Sequence, residues 1–345
     1  MQPVSDDLDA YNRQRAQRRR AEIVERYVLP IGAGAAHGLM ARALFGASET
    51  QRFLEVMTAS FIFFVPFSLG FVTVALAERR QGLKWPARLS LAILAGILAL
   101  AVSLALAWEG LICIFLWFPL YVVLSAFGGA LAGAIADARR RSGKDGNGSA
   151  LPCVLLLPYL AGPIERSIET ETTLRTIENS IRIEASADRV WENIARVPRF
   201  DEREHRFALS HAIGFPRPLE ATLSHEGVGG VRHATFEGDV LFIETVTHWE
   251  PPRKLTFSIH ADAETIPPHT LDQHVTVGGP YFDVLEGEYE LEPLPDGAVL
   301  LHLRSRHRVS THFNFYATLW TDFIMSDVQG YILSIVRDRA ERPTR

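Results

Sequence analysis

The stretch Ile181-Arg-Ile-Glu-Ala-Ser-Ala-Asp-Arg-Val-Trp191 decides how the second half of this chain is read. Ile181 and Ile183 continue an alternation begun at Ile177, with Glu178, Ser180, Arg182 and Glu184 between them. A period of two gives a strand one apolar face. Ser186 stands where a helix N-cap is wanted, Asp188 suits the first turn, and Val190, Trp191 and Ile194 share one helical face. A half-buried strand therefore runs directly into a short helix, which Pro198 ends.

Outward toward the C-terminus the pattern stays β. A short helix or turn is expected over 199–206, then strands over 219–225, 231–236 and 240–249, the last two joined by Glu237-Gly238-Asp239. Along 240–249 two facings are open: Phe242, Glu244 and Val246 inward, or Leu241, Ile243 and Thr245. Glu250-Pro-Pro-Arg253 makes a turn before a strand through Leu255, Phe257 and Ile259, and 269–280 gives no clear pattern. Strands over 283–292 and 298–309 flank Pro293-Leu-Pro-Asp-Gly297. A turn centred near Asp296 sets Glu290 opposite His302, Glu288 opposite Arg304 and Glu286 opposite Arg306. These rows form a solvent-face ladder, leaving Leu285, Gly287, Tyr289 and Leu291 to share the apolar face with Leu301, Leu303, Ser305 and His307. Beyond Thr311, the residues Tyr316, Trp320, Ile324, Val328, Ile332 and Ile335 recur at helical spacing, a stripe wide enough to face a sheet.

The first half differs in kind. Up to Ala150 there are 16 Lys+Arg and 11 Asp+Glu, against 19 and 29 thereafter. An acidic C-terminal half disfavours nucleic acid and purely electrostatic docking on anionic lipid. Residues 1–26 form a basic segment with Arg13, Arg15, Arg18, Arg19, Arg20 and Arg26, and no short apolar region with a cleavage site marks it as a leader. Four runs of spanning length follow within 27–136: 27–46, 53–77, 89–107 and 111–136. His37 and Arg42 interrupt the first, and both read as packing or interfacial residues. Gly129 and Gly133 suit close helix packing on the fourth. A linker, 137–175, holds an apolar piece, 151–163, whose length and three prolines fit an interfacial or re-entrant segment. The basic segments fall on one side of a four-span bundle, which places the N-terminus, residue 139 and the C-terminal domain in the cytoplasm. A fifth crossing at 151–163 would reverse the last of these. Cys113 and Cys153 both lie in apolar runs, so no disulfide framework is expected.

The order strand, short helices, about six strands and one long closing helix resembles the helix-grip fold of the START-like superfamily (SRPBCC proteins). The particular resemblance is to bacterial polyketide cyclase/dehydrase-like and lipid-transport-like sequences. It rests on 181–191, on Glu244-Thr-Val-Thr-His-Trp-Glu-Pro-Pro-Arg-Lys-Leu255 and on the final helix, and covers 176–345. It implies a curved antiparallel sheet around the long C-terminal helix, a cavity between them, and a hydrophobic small molecule or lipid as partner. The resemblance also implies a bacterial source but says nothing about the spans, from which the multi-pass inner-membrane location is expected. No catalytic motif is shared across that superfamily, so none is carried over.

The expected architecture is thus an N-terminal α-helical membrane bundle plus a C-terminal α+β helix-grip domain. Cavity candidates are His233, Glu244, His274, Tyr281, Ser305, His307 and Trp320. His269, Asp272 and His274 form the best local metal cluster, but His269 and His274 sit at an odd offset and face opposite sides of an extended chain, so neither a metal nor another cofactor is expected. The sequence also lacks a nucleophile elbow, a phosphate loop and a dinucleotide fingerprint. A non-catalytic binding module is the first functional expectation. A cyclase or dehydratase with a pocket His or Glu as general base, and a scaffold or sensor whose pocket its own side chains fill, are the alternatives.

Overall fold

A computed structural model describes residues 3–79, 82–143, 150–261, 274 and 276–342, with side chains from residue 11 onward. The chain forms two compact units, one of residues 1–109 and 117–169, the other of 110–116 and 170–345.

The first unit is helical. Helix α1 (Pro3–Ile23) continues through one π-helical turn into α2 (Leu29–Gly46); α3 (Val65–Ala77) is preceded by a π turn, Ser60–Phe64. Then come α4 (Trp85–Ala105), α5 (Leu111–Arg141) and α6 (Ala150–Glu165). Four helices are long and apolar enough to cross a membrane: Tyr11–Gly46, Ser60–Ala77, Trp85–Ala105 and Leu111–Arg141. Small residues let them approach closely, as in membrane helix packing. A Cβ on Gly129 would stand 2.7 Å from that of Ala92, and one on Gly133 would stand 2.6 Å from Arg88 Cδ, so these glycines make room for α4. Segment 151–163 lies within a continuous helix, α6, despite Pro158 and Pro163 inside it.

The second unit is a seven-stranded antiparallel sheet with strand order β1-β7-β6-β5-β4-β3-β2. The strands are β1 (Thr173–Ile183), β2 (Pro218–Leu223), β3 (Val231–Phe236), β4 (Val240–Glu250), β5 (Lys254–Ala261), β6 (Phe282–Pro293) and β7 (Val299–Val309). Two short helices, α7 (Ala187–Ala195) and α8 (Leu209–Ala212), separate β1 from β2, and α9 (Asn314–Glu341) closes the chain. This is the helix-grip arrangement. Its core joins Ile183, Val190, Trp191 and Ile194 to Leu255, Phe257, Tyr289, Leu301 and, from α9, Leu333 and Val336. The opening strand and helix thus pack on both sheet and closing helix.

Two local expectations change and one open alternative is decided. Ser186 occupies the N-cap position of α7, but its side chain makes no capping hydrogen bond. The β6–β7 register pairs Glu286, Glu288 and Glu290 with Arg306, Arg304 and His302 as expected, yet a bulge between Val284 and Glu286 turns Val284, not Leu285, toward the core. On β4 the inward face is Phe242, Glu244 and Val246, while Leu241 and Ile243 remain over one-third exposed.

Candidate functional site

Between the inner face of the sheet and α9 lies a cavity of about 150 Å³. Phe242, Phe257, Tyr289 and Leu303 line it from the strands, Ile324, Val328 and Ile332 from α9, and Phe215 and Pro216 from the segment before β2. The apolar lining follows from the period-two pattern of β4–β7 meeting the period-3.6 stripe of α9. Gly287 belongs to the wall because the Phe257 ring crosses it: a Cβ there would fall 2.6 Å from Phe257 Cε2.

Three polar side chains besides the Tyr289 phenol reach this wall: Glu244, Ser305 and Gln329. The Gln329 amide donates to Ser305 Oγ (2.9 Å) and to the Ile177 carbonyl (3.1 Å), and its oxygen accepts from Asn179 Nδ2 (2.9 Å). Ser305 and Gln329 are therefore tied into the contact between β1, β7 and α9. Burial pushes the Tyr289 phenol up to about 12.

Glu244 is different. It stands directly across from Arg232 in the β3–β4 register, and the two form a buried ion pair. The Arg232 guanidinium also donates to the Ile194 carbonyl (3.0 Å) and the Ala195 carbonyl (3.3 Å), closing the C-terminus of α7, and lies 4.8 Å over the Phe257 ring. Arg232 is thus fixed on all sides. Glu244 binds it through Oε2, and among the described residues no donor meets Oε1. Burial pushes the Glu244 carboxyl above the usual carboxylate range, while Arg232 pulls it back. The result is a carboxyl group set in an apolar wall, able to accept a hydrogen bond from a hydroxyl or N–H, or to exchange a proton with it.

The other residues singled out from sequence lie elsewhere. His307 is fully buried, with Nε2 3.2 Å from Thr321 Oγ1 and 3.6 Å from an Asp322 oxygen that also faces Arg175. Its ring sits 5.7 Å from that of Phe282, behind the wall rather than in it. Burial holds its pKa down. His233 is exposed, one residue from the inward Arg232. His274 and Tyr281 are half-buried outside the lining, as is Trp320, whose ring meets Phe323 edge-on at 6.3 Å. Of the seven candidates the cavity brings together Glu244 and Ser305. His269 and Asp272 lie outside the described residues.

With this geometry the unit can be set beside known structures. It is similar in fold to START-superfamily proteins. The aromatase/cyclase Zhui from Streptomyces sp. R1128 is 18% identical, matching 50% of this chain and 97% of its own, with a TM-score of 0.34. A START superfamily protein from Mycobacterium smegmatis is 11% identical, over 48% of this chain and 97% of its own (TM-score 0.32). Truncated norcoclaurine synthase from Thalictrum flavum is 14% identical, over 51% and 98% (TM-score 0.31). No family model matches the chain, and no curated protein matches it in sequence.

Sequence reasoning missed Arg232, Gln329 and Tyr289 as site residues. Tyr289 was legible as inward, since the hairpin register fixes its face. An arginine on a strand reads as solvent-facing, and only the fold brings the end of α7 to meet it. Gln329 stands beside Val328 at the edge of the apolar helical stripe, and the stripe itself gives no signal of it.

Proposed function

We propose that this chain is a membrane-anchored helix-grip protein whose C-terminal domain binds a hydrophobic small molecule in the cavity between sheet and α9. The observation that carries this reading is one carboxyl group, Glu244, placed by a buried arginine in a mostly apolar wall. A void of about 150 Å³ matches the size that accepts a benzene-like ring in an engineered core, and falls below the roughly 300–1,000 Å³ of typical ligand pockets. It suits one ring, or one segment of a longer chain, better than a whole two-chain lipid. Binding without catalysis is the first reading. The four apolar helices support anchoring in a membrane.

A second reading follows from the same residue. A carboxyl whose pKa burial raises, beside a ring-sized void, is suited to general acid–base work of the cyclase or dehydratase kind. An open cavity argues against a scaffold whose pocket is filled by its own side chains. Native mass spectrometry of the detergent-extracted full chain tests the binding reading: a releasable adduct of low mass is expected, and a bare protein that takes up no ring-sized apolar probe would overturn it. Turnover of any bound molecule that vanishes in Glu244→Gln while occupancy persists would favour the enzyme.

A further inference from the structure

Two layers of charge bracket the helical unit. At one end Arg88 is buried against Glu78 (2.8 Å) and Asp137 (2.6 and 2.7 Å), and Arg140 joins both acids. At the other end Arg42 pairs with Glu109 and Arg166 with Glu55. The 18 residues of α4 from Arg88 to Ala105 rise about 27 Å, close to the ~30 Å hydrocarbon core of a bilayer. The apolar slab therefore has two defined faces.

Helix α6 runs from one face to the other. Its first residues, Ala150, Leu151 and Val154, pack on Val74 and Ala75 at the end of α3 and on Ala92 near the start of α4. Midway, the Tyr159 ring lies 6.1 Å from His37 and 5.9 Å from Phe45. Near its end Gly162 packs against Phe53 and Leu54, where a Cβ would come within 2.7 Å of Leu54 Cδ2. Its last residue, Glu165, accepts hydrogen bonds from the Ala59 and Ser60 amides (2.5 and 2.7 Å), where α3 and its π turn begin. A carboxylate on free amides at a helix start is a favourable cap. Helix α6 is thus antiparallel to α3 along its whole length, and its 16 residues span about 24 Å without a charge before Glu165. Prolines inside it are tolerated in a membrane helix packed among neighbours.

The charges assign the faces. The start of α2 packs on the end of α3 and the start of α4, so the arginine-rich α1 leaves at the Arg88 end. With Arg79, Lys84, Arg88, Arg139, Arg140 and Arg141, that end and its flanks carry 12 cations among the described residues, against Arg42, Arg52 and Arg166 at the other. The cation-rich face is the cytoplasmic one by the positive-inside rule.

We infer that α6 is a fifth membrane crossing, so that the cavity domain, which begins at Thr173, stands on the non-cytoplasmic side and takes its hydrophobic ligand from there. This reverses the side expected from four spans. Only its last clause rests on the proposed binding function, because the crossing is read from the helical unit alone.

The test uses single cysteines in the full chain after Cys113→Ser and Cys153→Ser, probed on intact cells with a membrane-impermeant maleimide. Ser167→Cys, at the exit of α6, is expected to be labelled from outside, and Ser142→Cys, after α5, only after permeabilisation. Both positions are exposed. An epitope tag after Arg345, digested by protease added outside sealed right-side-out membranes, gives the same answer without substitutions. Protection of the tag, or equal labelling of the two cysteines from either side, would overturn the crossing. Labelling of Ser142→Cys alone would mean an inverted bundle and would overturn the assigned side. Ligand occupancy, read by mass spectrometry, is independent of every one of these outcomes.

Discussion

Each half of the molecule buries an arginine against acids, and the two arrangements differ in what they leave unsatisfied. Arg88 holds Glu78 and both oxygens of Asp137, while Glu78 also accepts from the Leu83 amide (3.0 Å) and from Arg140. Among the described residues each carboxylate oxygen of this cluster already has a donor. Arg232 is equally well held, but its partner Glu244 lines a mostly apolar cavity, and among the described residues its second oxygen meets no donor. A buried ion pair by itself is weak evidence for function. The unspent acceptor beside a void separates the site from the latch.

Removing either arginine tests the common part of this comparison. Arg88→Met leaves Glu78 and Asp137 with Arg140 as their one cationic partner among the described residues, and Arg232→Met strands Glu244 and the carbonyls ending α7. Each is expected to cost about 3–5 kcal/mol, the range for breaking a buried pair, read as lower thermal stability of the purified chain. Equal loss with no effect of Arg88→Met on ligand occupancy would sharpen the contrast.

Glu244→Gln tests the part that differs. It keeps the shape and removes the charge, for an expected stability change of about 1–3 kcal/mol. Affinity for a phenol-like probe should fall more than affinity for its purely hydrocarbon analogue, by isothermal or fluorescence titration. Equal losses for the two probes would reduce Glu244 to a structural residue.

A carboxylate held only for structure behaves differently. Glu204 accepts from Arg339 at 3.0 and 2.7 Å and pairs with Arg342, and these hold its pKa down to about 2. A depressed folded-state value gives stability that is present above the ordinary carboxyl range and lost as pH falls from there toward about 2. Acid titration followed by circular dichroism should show a shallower stability loss over that window in Glu204→Gln than in the parent. The smallest effect belongs to the outer ladder. Arg304 bridges Glu178 and Glu288 on the exposed sheet face, and Arg304→Ala is expected to cost at most about 1 kcal/mol and to leave ligand occupancy unchanged.

The same contrast governs what could be read in advance. Local periodicity located the strands, and the Pro293–Gly297 turn pinned the β6–β7 register, which put Glu286, Glu288 and Glu290 outside and Gly287 and Tyr289 inside. Strand β4 resisted because Leu241 and Ile243 are apolar on an outward face, so alternation alone gave two answers. The bulge at Leu285 leaves no trace in composition. Charged residues misled most: Arg232 is buried because it closes a helix distant in sequence, and His307 is buried behind the wall by Thr321 and Asp322 from α9. In the helical half, proline content and length made 151–163 read as interfacial or re-entrant, and the segment lies within one continuous helix packed along α3. Local pattern predicts faces; contacts across the fold decide which polar groups are left for a ligand.

The central claim is that the cavity is a binding site, and Val328→Phe addresses it most directly. Val328 faces the void from α9, and a phenyl ring there fills space of about the size available. Binding of a ring-sized fluorescent probe to the full chain in detergent, measured with thermal stability for parent and variant, should be saturable in the parent and lost in Val328→Phe at nearly unchanged stability. Probe binding that is equal in the two proteins would contradict the assignment of the cavity as the site.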